Sequence, residues 1–342
     1  MAEDYKALDK EYIVNVYNRI GAVLDHGKGA ILYDVEGKKY IDLSAGIAVN
    51  IFGVCDDEWT QAVETQLHKL SHISNVFYTE PQTILAEKLC QKTGMKKVFF
   101  SNSGAEANEC AIKTARKYSH DKYGDGRHTI ITLKNSFHGR TLATLTACGQ
   151  DSLHQDFGPF VDGFVYAEAD NFDDVKHLCE TNQVCAIMME MVQGEGGVHP
   201  LDKNFVKEVE AYAKAHDILI VVDEVQTGNG RTGYLYAIWA TALNRISSRR
   251  PRHRRRPAPG RNDVCRFDGE DLDRPYPRLD LWRQPDLHGR RHFHHRPPDA
   301  GIDGRSTEKR SVYQRRIGTV PTRRPRLRHG LMIGIALRIK TE

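Results

Sequence analysis

The chain of 342 residues lacks any apolar run approaching the ~20 residues that a membrane-spanning helix needs. Its opening stretch, "MAEDYKALDKEYIVNVYNRI", is charged and amphipathic and lacks the apolar core of a signal peptide. Seven cysteines are present, an odd number with no C-x-x-C pair. That pattern argues against a disulfide framework and for reduced thiols in a cytoplasmic protein. No metal site is assigned. A net charge of +4 and an isoelectric point near 8.6 are too mild to name a partner. The length suggests roughly two domains.

Two further scarcities are local. Residues 1–236 hold five arginines, Arg19, Arg116, Arg127, Arg140 and Arg231, whereas residues 237–328 hold twenty-three against one lysine, Lys309. Ten of the thirteen prolines fall in that second stretch. Two compositions therefore join near Ala237. The extreme is "ISSRRPRHRRRPAPGRNDV" (246–264), with seven arginines, three prolines and no lysine.

From about residue 30 to 235, strand and helix patterns alternate. Apolar runs bounded by turn signals predict buried strands at "KKVFF" (96–100), "HTIITL" (128–133), "VCAIMM" (184–189) and "ILIVVDE" (218–224). Between them, "NFVKEVEAYAKAH" (204–216) places Phe205, Val209, Tyr212 and Ala213 on one helical face. Such alternation implies an α/β fold whose largely parallel sheet is covered on both sides, with ligands at the carboxyl ends of the strands.

Three segments after predicted strands carry candidate chemistry. In "FFSNSGAEANECAIKTAR" (99–116), small residues enter a helix whose free N–H groups suit a phosphate. The same letters also fit an ordinary turn, with Ser103 as N-cap and Glu106 completing a capping box. In "NSFHGRTLATL" (135–145), Phe137 could stack on a planar ring and Arg140 could fork onto a carboxylate. Equally, Phe137 could anchor a surface loop, and His138 alone is more often structural than catalytic. In "ILIVVDEVQTGNGRTG" (218–233), Asp223 and Glu224 end an apolar strand, which would carry one carboxylate to the sheet edge to meet a cation such as a protonated pyridine. An acidic strand end before a glycine-rich turn is the plainer alternative. A further turn, "EMVQGEGGV" (190–198), supplies Glu190 and Glu195.

In combination and in this order, "SNSGAEANE", "FHGRT", "EMVQGEGG" and "VVDEVQTGNGRTG", with "DVEGKKYIDLSAGIAVN" (34–50), resemble the class III, pyridoxal-phosphate-dependent ω-aminotransferases, and among them the acetylornithine branch. The resemblance runs over residues 20–236. It implies a transferase of fold type I, with a seven-stranded, mostly parallel sheet and a small α+β domain built from the chain ends. Residues 1–50 would belong to that small domain, 51–236 to the large cofactor domain, and 329–342 to a remnant of the small one. The cofactor would be pyridoxal 5′-phosphate, the substrates N-acetylornithine and 2-oxoglutarate, and the assembly a homodimer, with neither membrane nor nucleic acid as partner. By the same resemblance Ser103, Gly104 and Ala105 would hold the cofactor phosphate, and Phe137 and Val225 would sandwich the ring. Asp223 would pair with the ring nitrogen and Gln226 with the ring hydroxyl. Arg140 would bind the substrate α-carboxylate and Glu195 would lie near its distal end. The sequence departs from the family at "VCDDEW" (54–59), where a His-Pro pair is usual.

The family's Schiff-base lysine, about thirty residues beyond "DEVQ", is missing, because residues 237–308 contain no lysine. Yet "HGLMIGIAL" (329–337) resembles the family again. A shift of reading frame accounts for both. Joining the third base of each codon to the first two of the next, "NRISSRRP" (244–251), read on into Arg252, permits PDIVTTAK, with the lysine spelled across Pro251 and Arg252. In the other offset "RRRPAPGR" (254–261) permits GGGLPLGA and "LDLWRQP" (279–285) permits STFGGNP. Trp282 has one codon, which before any arginine forces glycine in that slot. Three lost bases, near 237, near 252 and before 329, would restore the frame. This reading is preferred to a real basic arm, which would be disordered and would bind phosphate backbones, because functional arms mix lysine with arginine. A cofactor-free structural or regulatory descendant is the third alternative.

Overall fold

The computed structural model of the protein describes residues 4–238 and the backbone of 327–329 and 332–334. Residues 4–82 and 83–238 belong to two compact units. The first begins with α1 (Tyr5–Tyr12), whose N-cap Asp4 accepts the N–H groups of Lys6 and Ala7. Strands β1 (Leu24–Lys28), β2 (Ile31–Asp34) and β3 (Lys39–Ile41) then form an antiparallel sheet in that order. The β2–β3 turn is tied by Asp34, which accepts the Tyr40 hydroxyl at 2.7 Å and the N–H groups of Lys38 at 2.8 Å and Glu36 at 3.1 Å. The Tyr40 hydroxyl foremost holds the Asp34 carboxyl below the usual range. A single turn, α2 (Ala45–Ala48), has left-handed backbone throughout, with φ between 49° and 66°. Helix α3 (Asp57–Lys69) starts on the N-cap Asp56, which accepts the Trp59 N–H at 2.9 Å. The departure at "VCDDEW" therefore forms a helix start, with Val54 bridged to Gly29 just before it.

Helix α4 (Glu80–Thr93) leads the chain into the second unit. Next come α5 (Gly104–Tyr123), β4 (Thr129–Leu133), α6 (Leu142–Ala147), β5 (Phe164–Ala167), α7 (Phe172–Thr181) and β6 (Val184–Glu190). The hairpin β7 (Val192–Gln193) and β8 (His199–Pro200), α8 (Lys203–Ala215) and β9 (Leu219–Asp223) complete it. Strands β5, β4, β6 and β9 form one parallel sheet in that spatial order. All seven residues of β6 are buried, as an apolar run covered on both faces requires.

Two-residue alternation sorts the core into two layers. Ile130, Ala186, Met188 and Val221 pack with Ile112 and Ala115 of α5. Ile131, Leu133, Ile187 and Met189 pack with Val175 of α7 and with Phe205, Val206, Val209 and Ala213 of α8. Each fully buried isoleucine or methionine contributes roughly 1.5–3 kcal/mol, so the two layers supply the main driving force for this unit. The predicted helical face at 204–216 is the one buried, with Tyr212 at its margin. Three predicted strands match β4, β6 and β9.

The fourth, "KKVFF", is a correction: residues 96–100 are not a strand. Strand composition needs a neighbour to complete a ladder, and no strand among the described residues pairs with this segment. The described parallel sheet thus has four strands where the resemblance implied seven. The backbone of β10 (Leu327–His329) and β11 (Met332–Gly334) pairs antiparallel at the start of the returning family-like stretch. No helix among the described residues is long and apolar enough to cross a membrane.

Candidate active site

The carboxyl ends of β4, β6 and β9 and the start of α5 meet at one edge of the sheet. Asp223, the last residue of β9, is 6% exposed. Its Oδ2 accepts Asn108 Nδ2 at 2.7 Å and faces His138 Nδ1 at 2.9 Å, and its Oδ1 accepts the Val225 N–H at 3.0 Å. Opposite an ionised carboxylate, which only accepts, this contact requires the His138 proton on Nδ1. Asn108 Nδ2 also donates to the His138 carbonyl at 2.8 Å. His138 is fully buried and its Nε2 has no partner among the described residues. The Cys148 thiol accepts the His138 N–H at 3.2 Å and points back to the carbonyls of Thr144 and Gly139, while burial pushes its ionisation up. Between them these bonds fix the aspartate from the helix, the loop after β4 and its own turn.

Of the acidic pair predicted at the end of this strand, Asp223 faces the cluster and Glu224 closes the following loop. Glu224 accepts the N–H groups of Ala237 at 2.9 Å and Ile238 at 2.8 Å and the Thr227 hydroxyl. Burial pushes its carboxyl above the usual range.

At the head of α5, Ser103 is the N-cap and its hydroxyl accepts the Glu106 N–H at 3.2 Å. Glu106 reaches back to the Asn102 N–H at 2.7 Å, one residue before the reciprocal bond of a capping box. The N–H groups of Gly104 and Ala105 precede the helical ladder and take no acceptor among the described residues. Two close approaches fix this head against the other loops. A Cβ on Gly104 would come within 2.7 Å of Val225 Cγ2, and one on Gly139 within 2.8 Å of Ala105 Cβ. Gly139 also has φ +136°, a backbone that side chains disfavour. Replacing Gly139 by alanine is accordingly expected to destabilise the second unit by about 1–3 kcal/mol, read as a lower urea midpoint. An unchanged midpoint would show that the loop is free to move.

The remaining predicted residues gather around this frame. Phe137 is half-buried, its N–H donates to Glu190 Oε2 at 3.0 Å, and the Arg140 guanidinium lies 5.6 Å from its ring centroid. Gln226 Nε2 is 3.5 Å from Glu195 Oε1, and its amide sits where a Cβ on Gly194 would be. Ser103, Arg140 and Glu195 are exposed. Every in-frame site residue from the sequence thus belongs to one neighbourhood, while the lysine slot at Pro251 and Arg252 lies outside the described residues. Asn108 was missed. Its signal was a polar residue in the otherwise small and apolar stripe Asn108, Ile112, Ala115, Ser119, the buried face of α5.

The aminotransferase class-III family model matches residues 12–244. The chain belongs to the class-III aminotransferases. Acetylornithine aminotransferase of Haemophilus ducreyi is 52% identical over 236 residues, covering 69% of this chain and 60% of that protein. The crystal structure of N-acetylornithine aminotransferase from Stenotrophomonas maltophilia superposes with TM-score 0.58 at 37% identity over 69% of this chain and 57% of that one. Ornithine aminotransferase from Toxoplasma gondii gives TM-score 0.67 at 28% identity over 70% and 57%. The chain therefore spans about 60% of the length of the curated relatives it matches. The fold is the α/β type-I fold of pyridoxal-phosphate-dependent transferases, and that cofactor is the one the class uses. The family match ends close to the change of composition near Ala237.

Proposed function

We propose that the coding sequence specifies an N-acetylornithine:2-oxoglutarate aminotransferase of arginine biosynthesis, acting in the cytoplasm, and that the chain as written is inactive because its lysine codon is out of frame. What carries this reading is Asp223: a buried carboxylate held by three N–H groups at the edge of a parallel sheet, beside a helix start with two N–H groups that take no acceptor among the described residues. That donor set suits a phosphorylated pyridine, with Gly104 and Ala105 toward the phosphate and Asp223 toward a protonated ring nitrogen. Pyridoxal phosphate, when bound, supplies an electron sink for the bonds at the substrate α-carbon.

The chain's own residues would do the rest. Ser103 would add a hydroxyl at the phosphate, Phe137 and Val225 would press the ring from opposite faces, and Gln226 would reach its hydroxyl. Asp223, ionised, would keep the ring nitrogen protonated, and the His138 Nδ1–H and Asn108 would keep the aspartate from rotating. Arg140, exposed and over the Phe137 ring, would fork onto the substrate carboxylate, with Glu195 near the distal end. The lysine, encoded across Pro251 and Arg252, would carry the proton to and from the α-carbon.

A homodimer is proposed on the exposed apolar residues of the first unit. Ile41, Leu43, Ile47 and Val49 are 68–83% exposed and Val76, Phe77 and Tyr78 61–103%, more than a soluble surface usually leaves uncovered. Sedimentation of the frame-restored protein is expected to give a dimer, and a monomer at micromolar concentration would refute this. The substrate is tested on the same protein with N-acetylornithine, ornithine, succinylornithine and 4-aminobutyrate as donors. N-acetylornithine is expected to give the highest kcat/KM; a higher value for another donor would reassign the branch.

A further inference from the structure

Glu190 ends β6 beside Asp223, its register partner at the end of β9. Both are buried, at 3% and 6% exposure, and no lysine or arginine pairs with either among the described residues. The ionisable groups facing Glu190 are His138 and Cys148 from the segments after β4 and α6, and Asp223 from β9. Two carboxyls in such a place do not both ionise readily unless a cation joins them. Burial accordingly pushes Glu190 up to about 7, against the pull of His138 and the N–H groups of Phe137 and Gly194, while Asp223 pushes it further. Besides Gly194, the Glu190 carboxyl accepts the N–H of Phe137 at 3.0 Å, which ties it to the residue proposed to cover the ring. An ionised carboxylate holds such an N–H roughly twice as strongly as a neutral acid does.

We infer that Glu190 is a positioning residue, holding the Phe137 backbone and giving up its proton when a cationic ring nitrogen docks against Asp223. Seating the ring and fixing the Phe137 plate then become one coupled event. The inference rests on the ring-binding reading above, and its test keeps the two apart.

Pyridoxine 5′-phosphate is the probe, because it carries the ring nitrogen and phosphate but no aldehyde to react with surface amines. Its binding to the full chain is measured by calorimetry at pH 6.5 in buffers of different ionisation enthalpy, which counts protons released. The unsubstituted chain is expected to release roughly half a proton or more beyond Glu190→Gln, whose amide oxygen still accepts the Phe137 N–H. The probe's own titrations are common to both proteins and cancel. Equal proton release from both, with both binding, overturns the role of Glu190 and leaves the ring-binding reading standing. Absence of binding to the unsubstituted chain overturns both. If Glu190→Gln does not fold, difference infrared spectroscopy on the unsubstituted chain decides: loss of a protonated carboxyl band on binding supports the inference, and no loss refutes it.

Discussion

Replacing Asp223 by alanine is expected to destabilise the second unit by about 3–5 kcal/mol and to abolish binding of pyridoxine 5′-phosphate. The aspartate accepts from Asn108, His138 and the Val225 backbone, at 2.7, 2.9 and 3.0 Å. Alanine would strand these donors in a place that is 6% exposed, and each buried donor left without a partner costs about 1–3 kcal/mol. Asp223→Asn separates structure from charge. It keeps the shape and one acceptor oxygen, so most of the stability is expected to remain, while the charge that would pair with the ring nitrogen is gone. Urea unfolding and calorimetry on the three proteins read the two effects. Binding by Asp223→Asn within a few-fold of the unsubstituted chain would mean that the carboxylate does not meet a cation.

The second large effect concerns the lysine. Treated with pyridoxal phosphate and borohydride, the chain as written is expected to show no specific pyridoxyl group, since residues 237–308 contain no lysine. The protein with three bases restored is expected to fix one pyridoxyl group on the lysine encoded across Pro251 and Arg252. Its transaminase rate should exceed that of the original chain by at least 10²–10⁴, roughly the range for a positioned proton-transfer group. The true ratio is expected to lie higher, because cofactor attachment is lost together with proton transfer. Full turnover by the original chain, or a stoichiometric adduct elsewhere on it, would contradict this account.

Much of the fold was legible in the sequence because its signals are local. The apolar runs of β4, β6 and β9 and the face of α8 follow from periodicity alone, and the Ser103 cap follows from S-x-x-E spacing. Residues 96–100 have equally good strand composition and are not a strand, because a ladder depends on a neighbour that no local pattern specifies. The site divides in the same way. Gly104, Phe137, Arg140, Asp223 and Gln226 take their roles from motifs, whereas Asn108 and Glu190, though inside quoted motifs, gain theirs only from partners that the folded chain brings to them. Glu190 meets Asp223 only because β6 lies beside β9, with thirty-two residues of chain between them. His138, read from the sequence as structural, is buried against the aspartate and bonded to it.

Resequencing the coding DNA across codons 230–330 tests the central claim most directly. Codon choice at Asn244 to Arg252 is expected to spell PDIVTTAK one base out of frame, and that at Arg254 to Asn262 to spell GGGLPLGA two bases out. Three bases are expected to be missing in all, near codons 237 and 252 and before 329. Codons that spell neither motif in any frame would contradict the claim, and would leave "ISSRRPRHRRRPAPGRNDV" as a genuine arginine-rich segment in a chain without the lysine.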